Sequence, residues 1–232
     1  MTLLEVEDAH TYYGESHILE GVSLEVEEGE VVALVGRNGV GKTTTLRTIL
    51  QLTAPREGTV RYRGEDVTGH NTHEVADMGV GWIPEGRRIF TQLSVEENVR
   101  VAVPDGRNVS EAVEDAFETF PDLREHADRD AGNLSGGQQQ MLAIARALVG
   151  DNDLLLVDEP SEGLAPLIVE RVANALNDAA ADTTILLVEQ NLPLALDLAD
   201  RFYVIDNGQV VEEGDADAAS ADDERLRRYL SA

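Results

Sequence analysis

Eight consecutive residues, Gly36-Arg37-Asn38-Gly39-Val40-Gly41-Lys42-Thr43, have the spacing G-x-x-x-x-G-K-S/T of a phosphate-binding loop. The glycines let the backbone curl so that successive N–H groups point at an anion. A helix beginning near Thr43 and running through Thr44 adds the positive end of its dipole. Lys42 is placed to reach the β- and γ-phosphates of a nucleotide, and the Thr43 hydroxyl to hold Mg2+, whose other oxygen ligands are mainly water and phosphate. Lys42 is the only lysine in 232 residues, so its place here is no by-product of a lysine-rich composition.

Two further segments supply what phosphate chemistry needs. Leu154-Leu155-Leu156-Val157-Asp158-Glu159 is an apolar run ending in two acids, the pattern of a buried strand that delivers carboxylates at its tip. Asp158 is expected to bind Mg2+ through water, and Glu159 to act as the general base that polarises the attacking water. Leu134-Ser135-Gly136-Gly137-Gln138 opens an amphipathic helix, and the Ser135 hydroxyl with the glycine N–H groups makes a second anion site. One chain thus carries two phosphate-binding helix starts.

The elements that position these motifs read as α/β. Residues 3–6, 22–26, 31–35, 59–63 and 79–83 alternate β-type runs with turn residues and predict a mixed sheet. Helical periodicity takes over at 95–103, 110–120 and 136–148. Strand character returns at 154–157, 184–188 and 202–205, with a helix over 168–179, as in a parallel sheet buried on both faces. Residues 215–224 read as a solvated linker before a short amphipathic end at 225–230. The expected organisation is one unit over 1–232: a core with a β subdomain at about 1–88 and 150–214, a helical lobe at about 89–149, and a tail at 215–232.

Composition narrows the function classes. Forty-five acidic residues against 18 basic give a net charge of -27 and a pI near 4.3. Such self-repulsion is largely screened at molar salt, where the Debye length is about 3 Å, and the acids spread along the whole chain. A halophilic medium is the expected setting, and a nucleic-acid partner is not expected, because its backbone is bound by Lys and Arg. With no cysteine there are no disulfides, thiolate zinc sites or cysteine nucleophiles. No stretch approaches the roughly 20 apolar residues of a membrane span, which reads as a soluble intracellular chain.

These motifs together resemble the ATP-binding-cassette (ABC) family, and the likeness to its LivF-type branch, described below, runs from about Leu3 to Gly214. It implies a P-loop NTPase cassette with a RecA-like parallel-sheet core, an N-terminal antiparallel β subdomain and an inserted α-helical subdomain. It also implies a head-to-tail pair of cassettes, in which Ser135, Gly136, Gly137 and Gln138 of one subunit close on the ATP held by the other. Tyr13 matches the aromatic that stacks on adenine, with Tyr12 as the neighbour it could be confused with. At the family's lid glutamine this chain has Glu85, and at the switch histidine Gln190, which can donate a hydrogen bond but carries no charge. Glu85 could approach Mg2+ directly. Ala165 stands where the family usually has aspartate, and Val40 and Glu162 are smaller departures.

Within the family, Pro84-Glu85-Gly86-Arg87-Arg88, Gly163-Leu164-Ala165-Pro166 and Val188-Glu189-Gln190-Asn191 resemble the LivF-type subunits of branched-chain amino-acid importers. That branch implies two transmembrane permease subunits, a second ABC ATPase subunit, an external solute-binding protein and a peripheral place on the cytoplasmic face of the membrane. The lid loop and residues 89–93 are candidates for permease contact or, equally, for internal packing. Three alternatives stay open: an ABC subunit for another cargo such as urea, amides or lipid, an ABC ATPase acting on nucleic acid or ribosomes, and a small-molecule kinase.

Overall fold

The computed structural model describes residues 1–220 and 223–230. The chain begins with β1 (Thr2–Tyr13) and β2 (Ser16–Glu27), then β3 (Val31–Val35), α1 (Lys42–Ile49), β4 (Glu57–Tyr62), β5 (Glu65–Asp66), α2 (Thr72–Asp77) and β6 (Val80–Ile83). A helical stretch follows: α3 (Val95–Arg100), α4 (Val109–Thr119), α5 (Pro121–Arg124) and α6 (Gly136–Leu148). It ends with β7 (Leu154–Asp158), α7 (Pro166–Ala179), β8 (Thr184–Glu189), α8 (Leu192–Leu198), β9 (Arg201–Asp206), β10 (Gln209–Asp215) and α9 (Glu224–Leu230).

The N-terminal strands do not share one mixed sheet. β2-β1-β4-β5 form an antiparallel sheet, while β3 and β6 leave it for a second sheet in the order β10-β9-β3-β8-β7-β6. That second sheet is parallel except for β10, which pairs antiparallel on β9 at one edge. β1 and β2 are also far longer than the runs at 3–6 and 22–26, because their apolar alternation is broken by register shifts within the pair. Residues 215–224 are not simply a solvated linker: Asp215 ends β10, and Ala216 is buried in a single turn of 3-10 helix at Ala216–Ala218. Positions 221 and 222 of that stretch, and 231 and 232 of the tail, lie outside the described residues.

The period-2 geometry of the central strands sorts their side chains between two cores. Leu154 and Leu156 of β7, with Leu186 and Val188 of β8, face a core shared with α1 and the antiparallel sheet. Leu155, Val157, Ile185 and Leu187 face the opposite core, filled by α3, α4, α6 and α7. Each fully buried aliphatic contributes about 1.5–3 kcal/mol, so β7 is pinned in register from both sides. A third, smaller cluster joins Ala33, Val35, Leu192, Ala195 and Leu226 behind β9, and seats α9.

Among the described residues, Asp158 and Glu189 are the only buried acids. The rest of the negative charge lies at or near the surface, where salt can screen it. The thermal midpoint is therefore expected to climb as KCl is raised from about 0.1 M to about 2 M. A midpoint that stays level or falls over that range would contradict the reading of a chain adapted to high salt.

Candidate active site

The phosphate loop is shaped by close approach on both sides. A Cβ at Gly36 would stand 2.5 Å from the Ile205 carbonyl, and Gly41 takes a positive φ of 118° with the Leu19 side chain 2.8 Å from where its Cβ would be. Only glycine satisfies both demands without displacement. Gly208 N donates to Val40 O at 2.9 Å, tying the loop to the β9–β10 turn. Gly41 caps α1 without any side-chain hydrogen bond, so the first N–H groups of the helix are not taken by a cap.

Lys42 is 3 % exposed, and its ammonium has all three donors engaged: Gly36 O at 2.8 Å, Arg37 O at 2.9 Å and Glu159 Oε1 at 2.9 Å. Thr43 Oγ1 donates to Asp158 Oδ1 at 3.0 Å. Sequence separations of more than a hundred residues are thus closed at the tips of β3 and β7, which β8 separates. Glu159 follows β7 with φ 45°, a left-handed conformation that a glutamate does not prefer. Its backbone N–H donates to Val188 O at 2.9 Å, which aims the side chain at Lys42. Thr44 is buried in α1, whereas Arg37, Asn38 and Gly39 are exposed. Arg37 Nη2 donates to the Arg228 carbonyl of α9 at 3.2 Å.

Burial pushes the Asp158 carboxyl up to about 6, with the charges of Glu159 and Glu85 adding to the effect against the hydrogen bond from Thr43. Glu85 is exposed and lies close enough to Glu162 to act on its carboxyl. Burial first, then the neighbouring Glu85 carboxylate, push the Glu162 carboxyl up as well. Glu85 is thus engaged on the loop after β7, near the Thr43–Asp158 pair rather than on it. The site gathers oxygen donors and an excess of negative charge, the chemistry that suits Mg2+.

Gln190 is exposed and lines a small cavity with Glu159, Ser161, Glu162, Glu189 and Asn191. Sequence reasoning missed Glu189, which organises this corner. It is 2 % exposed and accepts from the backbone N–H of Ser161 at 3.1 Å, of Gln190 at 3.1 Å and of Asn191 at 3.2 Å. One carboxylate thereby ties the loop after β7 to the loop after β8. Burial raises its pKa, and the hydrogen bonds from Ser161 and Asn191 hold it back. An acid ending the apolar run 185–188 was the available signal, the same one that marked Asp158.

Packing separates the two tyrosines. Tyr12 has both faces occupied, by His17 stacked at 4.1 Å and by the Arg56 guanidinium at 4.2 Å. Tyr13 is 41 % exposed, and its hydroxyl accepts from Arg47 of α1 at 3.3 Å, which puts an open ring beside the helix that carries Lys42. The structure does not bring Ser135, Gly136, Gly137 and Gln138 into this cluster. Ser135 caps α6 in a reciprocal box, with Gln138 N donating to Ser135 Oγ at 3.3 Å and Ser135 N to Gln138 Oε1 at 3.0 Å. Ser135 and Gly136 are exposed. α6 packs on the face of the parallel sheet opposite α1, so the starts of these two helices belong to opposite sides of one sheet.

A glycine loop on a buried strand, a saturated lysine and a strand-end Asp-Glu pair define a nucleotide-hydrolysing P-loop protein. The profile of the ABC transporter family matches residues 19–162, and the chain belongs to that family. It is an ATP-binding subunit of this class and an ATPase. It is 42 % identical over 212 residues to the high-affinity branched-chain amino acid transport ATP-binding protein BraG of Pseudomonas aeruginosa, covering 90 % of this chain and 91 % of that one. Identity to the probable branched-chain amino acid transport ATP-binding protein LivF of Archaeoglobus fulgidus is 37 %, over 88 % of each chain. Among solved structures, the ADP conformation of an ATP-binding cassette of an ABC transporter superposes with a TM-score of 0.82 at 29 % identity, covering 100 % of both chains. A dimeric, post-hydrolysis ATP-binding cassette bound to ADP and Pi gives a TM-score of 0.83 at 25 % identity, covering 92 % of this chain and 99 % of that one.

The raised pKa of Asp158 has a defined consequence for stability. Between its ordinary value of 3.8 and its folded value of about 6, the folded chain holds a proton that the unfolded chain has lost. Its contribution therefore falls as pH rises through that window and stays low above it. In EDTA and without nucleotide, Asp158→Asn is expected to be more stable than the parent at pH 7, with the difference shrinking toward pH 4. Urea melts at both pH values check this, and a difference independent of pH would contradict it.

Proposed function

We propose that this chain is the ATP-hydrolysing motor of a membrane importer for branched-chain amino acids, working as one half of a head-to-tail cassette pair. The observation that carries the pairing is the placement of two anion-binding helix starts on opposite faces of one sheet. A single phosphate cannot meet both within one chain, but it can meet the Lys42 loop of one chain and the Ser135 helix start of another. Dimerisation of the related post-hydrolysis cassette and the names of the BraG and LivF relatives support the reading.

In the proposed mechanism, Tyr13 stacks on the adenine, and the backbone N–H groups of the loop with those of Thr43 and Thr44 hold the phosphates. Thr43 and Asp158 would hold Mg2+, with Glu85 joining them, and the ion would neutralise phosphate charge. The γ-phosphate takes the place of Glu159 on the Lys42 ammonium. Glu159 is then free to accept the proton of a water attacking the γ-phosphorus as the bond to ADP breaks. Gln190, across the cavity from Glu159, donates a neutral hydrogen bond toward the transferred phosphate. Closure of the pair moves residues 89–149 as a helical lobe, and with it two permease subunits on the cytoplasmic face of the membrane, fed by an external solute-binding protein.

Glu159→Gln tests the chemistry and the cargo together. Bound ATP should remain while turnover falls by about 10² or more, and the pair should stay closed in gel filtration with ATP. Cells carrying this variant should lose uptake of leucine, isoleucine and valine. Parent-like turnover would remove Glu159 as the base, whereas lost turnover with intact uptake of all three solutes would remove the cargo.

A further inference from the structure

Glu189 is a costly residue where it stands. It is 2 % exposed, and among the described residues no cation pairs with it. A buried carboxylate without a counter-charge is tolerated only when hydrogen bonds satisfy it. Burial pushes its carboxyl up, and the charge of Glu159 adds to that. The proposed chemistry gives this group no part, yet its hydrogen bonds run to both loops that carry the chemistry.

The two oxygens serve different loops. Oε1 accepts from Ser161 N at 3.1 Å, on the loop that begins with Glu159. Oε2 accepts from Gln190 N at 3.1 Å and from Asn191 N at 3.2 Å, at the start of α8. Glu159 is pinned one residue earlier on the same strand, through its own N–H on Val188 O at 2.9 Å. The turn after β7 is therefore fastened to the end of β8 twice, by Glu159 at 188 and by Ser161 at 189, and Gln190 follows directly. Across the gap lies a cavity of about 260 Å³ lined by Glu159, Ser161, Glu162, Glu189, Gln190 and Asn191. That is room for several waters at about 30 Å³ each.

Three backbone N–H groups converge on one side chain, so both of its oxygens must accept. An amide of the same shape would turn its NH2 toward one of the two loops and meet a donor there. Resting on the reading of Glu159 as base and Gln190 as donor, we propose that Glu189 is a positioning residue for hydrolysis, fixing the span between the Glu159 loop and Gln190. It acts through the backbone at Ser161 and Gln190 rather than on the reacting atoms. Nucleotide binding rests on the Lys42 loop and Tyr13, so the span matters when the phosphoryl group is transferred and its loss falls on kcat.

The test is steady-state ATP hydrolysis by the full chain at molar KCl, with the melting point of each variant. Glu189→Gln should lower kcat about tenfold or more and leave KM for ATP within about twofold of the parent. Glu189→Asp keeps two accepting oxygens on a shorter stem, so its kcat should fall by less, again with KM unchanged. In a Gln190→Ala background the cost of Glu189→Gln should shrink to about threefold or less, because the two changes disturb one geometry. Parent-like kcat in Glu189→Gln, or in Glu189→Asp where the amide variant does not fold, would overturn the proposal. So would an undiminished cost in the Gln190→Ala background. Equal losses in both variants, with raised KM and a lowered melting point, would leave Glu189 a structural tie only and overturn it too. Glu159→Gln separates this proposal from the reading beneath it. Parent-like turnover there would remove the base and the proposal together, whereas slow Glu159→Gln beside parent-like Glu189→Gln would remove the proposal alone.

Discussion

A single buried ammonium organises the site. Lys42 is the only lysine in the chain, and its three donors are saturated by two loop carbonyls and one glutamate. A buried cation is tolerable only when paired and fully hydrogen-bonded, so the loop curls to present Gly36 O and Arg37 O, and β7 ends where Glu159 can reach. The two carbonyls belong to the loop itself. The glutamate is the one partner that arrives from elsewhere, and a phosphate can displace it without leaving a carbonyl unpaired. In the proposed mechanism, substrate binding and release of the base are one exchange at one nitrogen.

The rest of the fold fixes where that exchange happens. β3 and β7 flank β8 in a sheet packed from both sides, which leaves little room for their tips to move. Movement is left to the loops, and Glu189 joins two of them through a buried carboxylate that accepts from both. The backbone at Ser161 and the backbone at Gln190 are therefore tied through a single side chain. The loop after β6 reaches the same corner, with Glu85 beside Glu162, and its Arg87 packs beside Gly136.

What was legible in the sequence was local. The phosphate loop, the Asp158-Glu159 strand tip and the Ser135 cap each declare themselves within a few residues, because backbone shape and helix capping depend on neighbours in the chain. The long strands β1 and β2 did not, since their alternation is interrupted by shifts of register that only pairing reveals. α8 is not legible either: its Asn191 cap and Pro193 are present, but Asn191 also closes the motif at 188–191, which hides the cap. The Lys42–Glu159 contact and the choice of Tyr13 over Tyr12 depend on residues far apart in the chain or on the packing of both ring faces. No window of sequence contains either.

The most direct measurement follows the lone lysine. Protein labelled with 13C at lysine Cε gives one side-chain signal, from position 42. The account predicts that this signal shifts when ATP and Mg2+ bind, as phosphate replaces Glu159 on the ammonium. A signal that stays in place while calorimetry shows the nucleotide to be bound would contradict it.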